Sequence, residues 1–235
     1  MKMITKELKK YLQDIRKLER EKNHDLIHKV HKKHGISKQT LFYVKEYGKS
    51  KNVSGTIIKE SIKILILASI ISSFGGFALN SIETLFLSIF PLVLLLPALN
   101  NMVGNYATVV SSRFSEMLYD GKVKKKWWKT PDLRKLFSQI LIMAIFASVL
   151  SSLVAIGITY FSPEGIVLGV AIKVFLIVFI DMILLTNILF LVAVFSGLYF
   201  YKKNEDPNNF LIPITTGVAD FSNMVVLAVL VVILF

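Results

Sequence analysis

Residues 57–79 read IIKESIKILILASIISSFGGFAL, a long apolar run with Lys59 and Lys63 near its start. A helix rises 1.5 Å per residue, so this stretch is long enough to cross roughly 30 Å of hydrocarbon. The two lysines lie close enough to the beginning for their stems to follow the apolar surface while their ammonium groups reach water. Four more apolar segments follow, at about 83–117, 134–160, 165–200 and 210–235. Each is long enough to span a bilayer. The second is longer than a plain span and carries Pro91, Pro97 and Gly104.

The composition agrees with the segments. The chain has 235 residues, 54% of them hydrophobic, and a mean hydropathy of +0.59. The excess is uneven, because residues 1–56 are strongly charged and most of the remainder is apolar. The formal net charge is +12, and its distribution explains it. Fifteen Lys and Arg precede the first span, eight fall in 112–135 and two in 201–209, while the loops at 80–83 and 161–165 hold none. Positively charged loops that alternate with empty ones place the charged side in the cytosol. The expected fold is therefore an all-α membrane protein, a bundle of five transmembrane helices with a cytosolic N-terminus and an external C-terminus. Trp127, Trp128, Tyr199 and Tyr201 fall at the cytosolic interface, where amphipathic rings are favoured. The expected location is the cell membrane, multi-pass, with the lipid bilayer as partner. The basic balance is a topology signal, and no nucleic-acid partner is expected.

Residues 1–56 are expected to form a short helical cytosolic segment, and 57–235 the five-span membrane domain. Ile4, Leu8, Tyr11, Leu12, Ile15 and Leu18 recur at helical spacing, predicting an amphipathic helix over 4–22. A second helix is predicted over about 24–34, ending at Gly35, and a third from an N-cap at Ser37 to about Tyr47, with Lys49–Gly55 as a linker. The N-terminus has no apolar h-region and does not read as a signal peptide. His24, His28, His31 and His34 share one helix face and can offer imidazoles to a transition metal. Lys29, Lys32 and Lys33 crowd that helix, and a basic helix on the anionic inner leaflet is the preferred reading.

Catalytic motifs are missing. There is no cysteine, and no His-Glu-x-x-His, Ser–His–Asp set or Gly-rich nucleotide fingerprint. Residues 48–50 read GKS, but Tyr43 stands where a phosphate loop needs its first glycine. The sequence does not point to an enzyme.

The chemistry lies in the spans. An ionised Asp at the centre of a span costs about 2.5–3.5 kcal/mol on insertion scales, so it requires a partner, a wet cavity or a cation. Asp220 lies about ten residues into the fifth span, in PITTGVADFSNMVV. Thr216 and Asp220 are four apart and share a face, and Asn223 is three residues further along it. With carbonyls loosened near Gly217, this is an oxygen-rich stripe of the kind that suits a hard cation such as magnesium. The alternative is that Asp220 pairs with a polar group on another helix. The second span carries LLLPALNNMVGNYATVVSSRF, in which Pro97 and Gly104 are expected to loosen the helix and Asn100, Asn101 and Asn105 supply amides. Freed carbonyls and amide oxygens can line a cation path. They can equally mark a packing kink with Asn side chains joining helices.

Two of these stretches carry a family resemblance. PALNNMVGNYATVVSSRFSEMLYDG resembles the Gly–Asn segment of the MgtE magnesium transporter family. DPNNFLIPITTGVADFSN resembles that family's pattern of Asp-Pro, a short spacer, Pro, a Thr pair and a membrane Asp, here Asp206, Pro207, Pro213, Thr215, Thr216 and Asp220. The resemblance covers about 57–235. It implies a homodimer whose divalent-cation path, selective for Mg2+, is lined by the second and fifth spans. It also implies that Asp220 holds a hydrated ion, that Thr216 and Gly217 add oxygens, and that Gly104 and Asn105 stand on the facing helix. Asn101 and Asn223 complete the candidate metal set. The sequence departs from the family in having a 56-residue basic segment where bacterial members carry magnesium-sensing domains. The fourth span also lacks a proline near Gly197.

Asp181, in the fourth span with Asn187 nearby, is expected to be satisfied inside the bundle, with a second ion or proton site as the alternative. Ser72 and Gly76 form a small-xxx-small pair that predicts close helix packing. The function read from all this is transmembrane transport of a divalent cation. The competing reading is a membrane-tethered binding module, whose basic N-terminal helices recruit a protein partner, anionic lipid or nucleic acid.

Overall fold

A computed structural model describes residues 6–17, 25–37, 40–41, 44, 53–123, 126–161, 165, 167–203 and 207–235. Among the described residues there are helices and no strands. Two short helices come first, α1 (Lys6–Lys17) and α2 (Asp25–His34). Their apolar faces meet around Ile15, Ile27, Val30 and Leu41, all essentially buried. Lys33 donates to Glu7 across this pair, and that bond holds the Glu7 carboxyl below its ordinary range. Gly35 ends α2 with φ +66°, as expected. Ser37 caps the next turn, its hydroxyl accepting the backbone N–H of Thr40 at 3.0 Å. The ends expected for the first helix, and most of the third, lie outside the described residues.

Five long helices follow, each long and apolar enough to cross a membrane. They are α3 (Val53–Asn80), α5 (Phe90–Tyr119), α6 (Pro131–Tyr160), α7 (Leu168–Lys202) and α8 (Pro207–Leu234). A short helix, α4 (Glu83–Ser88), separates the first two. The expected segments are matched, with two corrections. The second is not one helix from 83, because the chain breaks at Ile89 ahead of Pro91. Proline cannot give an N–H to the preceding turn and crowds its carbonyl, so a new helix starts instead. Residues 53–55, expected as linker, already belong to α3.

The core is a triangle of α5, α7 and α8, each packed on the other two, with α6 set against α5 and α7. Phe114 of α5 is fully buried. Gly197 makes room for it, since a Cβ there would lie 2.6 Å from the ring. α7 passes this glycine unbroken, so the proline missing near Gly197 leaves an ordinary helix. α5 ends in a Schellman turn: Lys122 N–H bonds Met117 O, Gly121 N–H bonds Leu118 O, and Gly121 takes φ +65°. By contrast, α3 lies outside the triangle and packs chiefly on α8. Its other faces present Ile62, Leu65, Ile66, Ile70, Phe74 and Phe77 outward. Such surface is at home in lipid, which is as apolar as leucine itself.

Candidate functional site

Asp220 sits at the midpoint of α8, thirteen residues from Pro207 and fourteen from Leu234. It is half-buried, and its Oδ2 accepts a hydrogen bond from Ser72 Oγ of α3 at 3.1 Å. The same hydroxyl lies 3.4 Å from Gly217 O. The helices meet here at very short range. A Cβ on Gly217 would stand 2.8 Å from Ala68 Cβ and 2.9 Å from Ala68 Cα, and one on Gly75 would stand 3.0 Å from Phe221 Cα. Ala68, Ser72 and Gly75 are spaced four and three apart, a single face of α3. Gly76, expected beside Ser72 in the packing pair, is exposed and meets nothing. The seam follows 68, 72 and 75, and Gly76 lies a residue further round the helix.

The oxygen-rich stripe of α8 is divided between two neighbours. Asn223 is completely buried and its Nδ2 donates to Asn100 Oδ1 on α5, while its own Oδ1 has no partner. Asp220 turns toward α3. Thr216, half-buried, donates back to Ile212 O at 2.8 Å. Its neighbour Thr215 is buried in the α5 seam, 2.7 Å from Ser111 Oγ. Gly217 is buried against Ala68, so its first role visible here is close packing, with its carbonyl near Ser72.

On α5, Asn101 and Asn105 are exposed, and Asn105 Nδ2 donates to Asn101 Oδ1 at 3.3 Å. Gly104 has open space around it, and its carbonyl accepts the Thr108 hydroxyl at 3.0 Å. Residues advance about 100° around a helix, which puts Asn101, Gly104, Asn105 and Thr108 on the side of α5 next to the Asn100 contact. Met102 and Tyr106, which reach Ser151 and Met143 O, occupy the side toward α6. The expected loosening of α5 is corrected: the helix is continuous through Pro97 and Gly104, and its one break lies at Ile89. The amides are side chains on an intact helix; Pro97 has no N–H to give Val93 O, but the helix continues past it. They stand eleven and fifteen residues into this 30-residue helix, at mid-depth like Asp220.

Asp181 differs from expectation. It is 0% exposed, and neither carboxylate oxygen has a hydrogen-bond partner. The nearby polar groups are engaged elsewhere, Thr186 with Met182 O and Asn187, which is exposed, with Ile183 O. In the N-terminal pair, His31 Nδ1 lies 2.6 Å from Ile36 O and the His34 ring tilts against Tyr11. Among the described residues no three His, Cys, Asp or Glu gather as a metal site; His24 lies outside them.

Sequence reasoning passed over two residues. Asn100 stood among three asparagines with nothing to mark which one meets α8. Ser72 was read only as a small packing residue, although its depth, eleven residues into the apolar part of α3, matches that of Asp220.

Two carboxylates, Asp181 and Asp220, stand well inside helices long and apolar enough to cross a membrane. The family model for MgtE, divalent cation transporter, matches residues 96–230, more than half of the chain. The chain belongs to the MgtE family and is a multi-pass membrane protein of a divalent cation transporter family. No curated protein and no solved structure matches it.

Proposed function

We propose that this chain conducts divalent cations, magnesium first among them, along a path lined by α5 and α8 at the interface of a homodimer. The observation that carries the reading is a half-buried carboxylate at mid-depth, Asp220, at the same depth as the exposed amides Asn101 and Asn105 of α5, the helix packed on α8. Polar side chains at membrane depth belong against protein or water, not lipid. A second copy of the chain covers that face, and two-fold symmetry brings two Asp220 carboxylates to one ion. Magnesium keeps much of its water, so one carboxylate from each copy, with the exposed amides of Asn101 and Asn105 and the half-buried Thr216 around the hydration shell, forms a sufficient set, while Asn223 and Gly217 hold the helices that carry them. The N-terminal segment, 1–56, lies in the cytosol and 57–235 carries transport. A negative-inside potential favours entry by about 2.3 kcal/mol per charge per 100 mV, twice that for a divalent ion, so uptake needs no ATP site.

The test is flux into proteoliposomes for Asp220→Ala and Asp220→Asn, with the dimer verified by native mass. Both variants lose cation flux while remaining assembled. Unchanged flux in both overturns the site. Ranking magnesium, manganese, cobalt and calcium with the parent protein then tests selectivity.

A further inference from the structure

The family match begins at residue 96 and leaves α3 out, yet α3 supplies the one side-chain hydrogen bond that Asp220 receives among the described residues. We propose that Ser72 is a positioning residue for the ion-binding carboxylate, an inference that rests on the proposed role of Asp220. A serine in a helix commonly turns its hydroxyl back to the carbonyl four residues earlier. Ser73 does so, donating to Ser69 O at 2.8 Å on the exposed side of α3. Ser72, one residue earlier, crosses to α8 instead. The crossing is built by the seam: Gly217 against Ala68 on one side and Gly75 against Phe221 on the other fix α3 at a height where Ser72 faces Asp220. Among the described residues no Lys or Arg pairs with Asp220, and this hydroxyl is the one side-chain donor that reaches the carboxylate.

A carboxylate has acceptor capacity for several donors. Ser72 occupies Oδ2 from the α3 side and leaves Oδ1 for the water shell of a cation. With the hydroxyl in place the side chain is already ordered when the ion arrives; without it, binding must order a freely rotating carboxylate. Immobilising one such side chain corresponds to about a three- to tenfold change in half-saturating concentration.

The experiment measures magnesium flux against concentration in proteoliposomes and the rise in melting temperature with added magnesium chloride in detergent. It compares the parent with Ser72→Ala, Ser73→Ala and Asp220→Asn. Ligand at free concentration L that binds only the folded state raises its stability by RT ln(1 + L/Kd), so the rise in melting temperature with magnesium gives a dissociation constant independently of flux. For Ser72→Ala, that dissociation constant and the half-saturating concentration for flux both rise about three- to tenfold while maximal flux stays within about twofold. Ser73→Ala behaves as the parent, and Asp220→Asn loses both magnesium responses. If Asp220→Asn loses them while Ser72→Ala keeps the parent's half-saturation, the positioning role fails and the carboxylate site stands. A Ser72→Ala protein with lower magnesium-free melting temperature and lower maximal flux at unchanged half-saturation makes Ser72 a packing residue and also overturns the proposal. If Asp220→Asn retains both responses, the site and the proposal fall together.

Discussion

Gly217→Ala is the most informative substitution in the α3–α8 seam. Its Cβ would lie 2.8 Å from Ala68 Cβ, 2.9 Å from Ala68 Cα and 3.1 Å from Ala68 O, whereas ordinary contact begins at 3.4 Å. Two of those three atoms are backbone, so no side-chain rotation relieves the overlap and the two helices must part by roughly half an ångström or more. The Ser72–Asp220 hydrogen bond, 3.1 Å in the parent, then stretches to about 3.6–3.7 Å, beyond hydrogen-bonding range. Overpacking of this kind costs about 1–3 kcal/mol. A hydrogen bond between membrane helices adds about 0.6–1.7 kcal/mol. Together these come to about 1.6–4.7 kcal/mol, and at about 2–4 °C per kcal/mol for a chain of this size the melting temperature falls by at least about 3 °C. Ala68→Gly removes the nearest of the three contacts, so the double variant recovers part of the loss and shows coupling in a double-mutant cycle. The assays are thermal unfolding in detergent and magnesium flux in proteoliposomes. A Gly217→Ala protein with parental melting temperature and parental flux would refute the close seam, and additive single and double variants would refute the Ala68 contact.

Three further outcomes follow from the interior. Gly197→Ala drives a methyl into the Phe114 ring, at 2.6 and 2.8 Å, and lowers stability by about 1–3 kcal/mol in thermal melts; Phe114→Leu in the same chain relieves it. Asn223→Leu and Asn100→Leu, alone and combined, show a coupling of about 0.6–1.7 kcal/mol in melting experiments, and zero coupling removes the cross-helix bond. Asp181→Val deletes a carboxylate with no partner, so it raises stability by about 1–3 kcal/mol with magnesium flux retained; lost flux at normal stability makes Asp181 part of the transport path.

The five spans were legible because lipid imposes one demand that composition records directly, a run of apolar residues with charge collected at its ends. Helix ends were less legible. Backbone hydrogen bonding continues past the apolar run into residues 53–56 and 201–202, where hydropathy gives no signal. Pro97, Gly104 and Gly217 looked like places where a helix loosens, but both helices continue through them, held by the bonds of neighbouring turns. Asp220 was visible as a charge in an apolar run. Ser72 and the Asn100–Asn223 pair were not, because their meaning depends on which helix faces which. That pairing joins residues 148 and 123 positions apart, beyond the reach of any local pattern.

The peripheral place of α3 sets an order of assembly. Of the five spanning helices described, α3 is made first and α8, the helix it packs on, fifth. Ser72 and Asp220 are 148 residues apart, so at about 5–20 residues per second the ribosome takes roughly 7–30 s to deliver the second after the first. During that interval α3 must persist as a lone helix in the bilayer. Its internally satisfied backbone and apolar outer faces allow this. Docking of α8 onto α3 is thus a late event of biogenesis, and the carboxylate meets its hydroxyl only after the helices between them have been made.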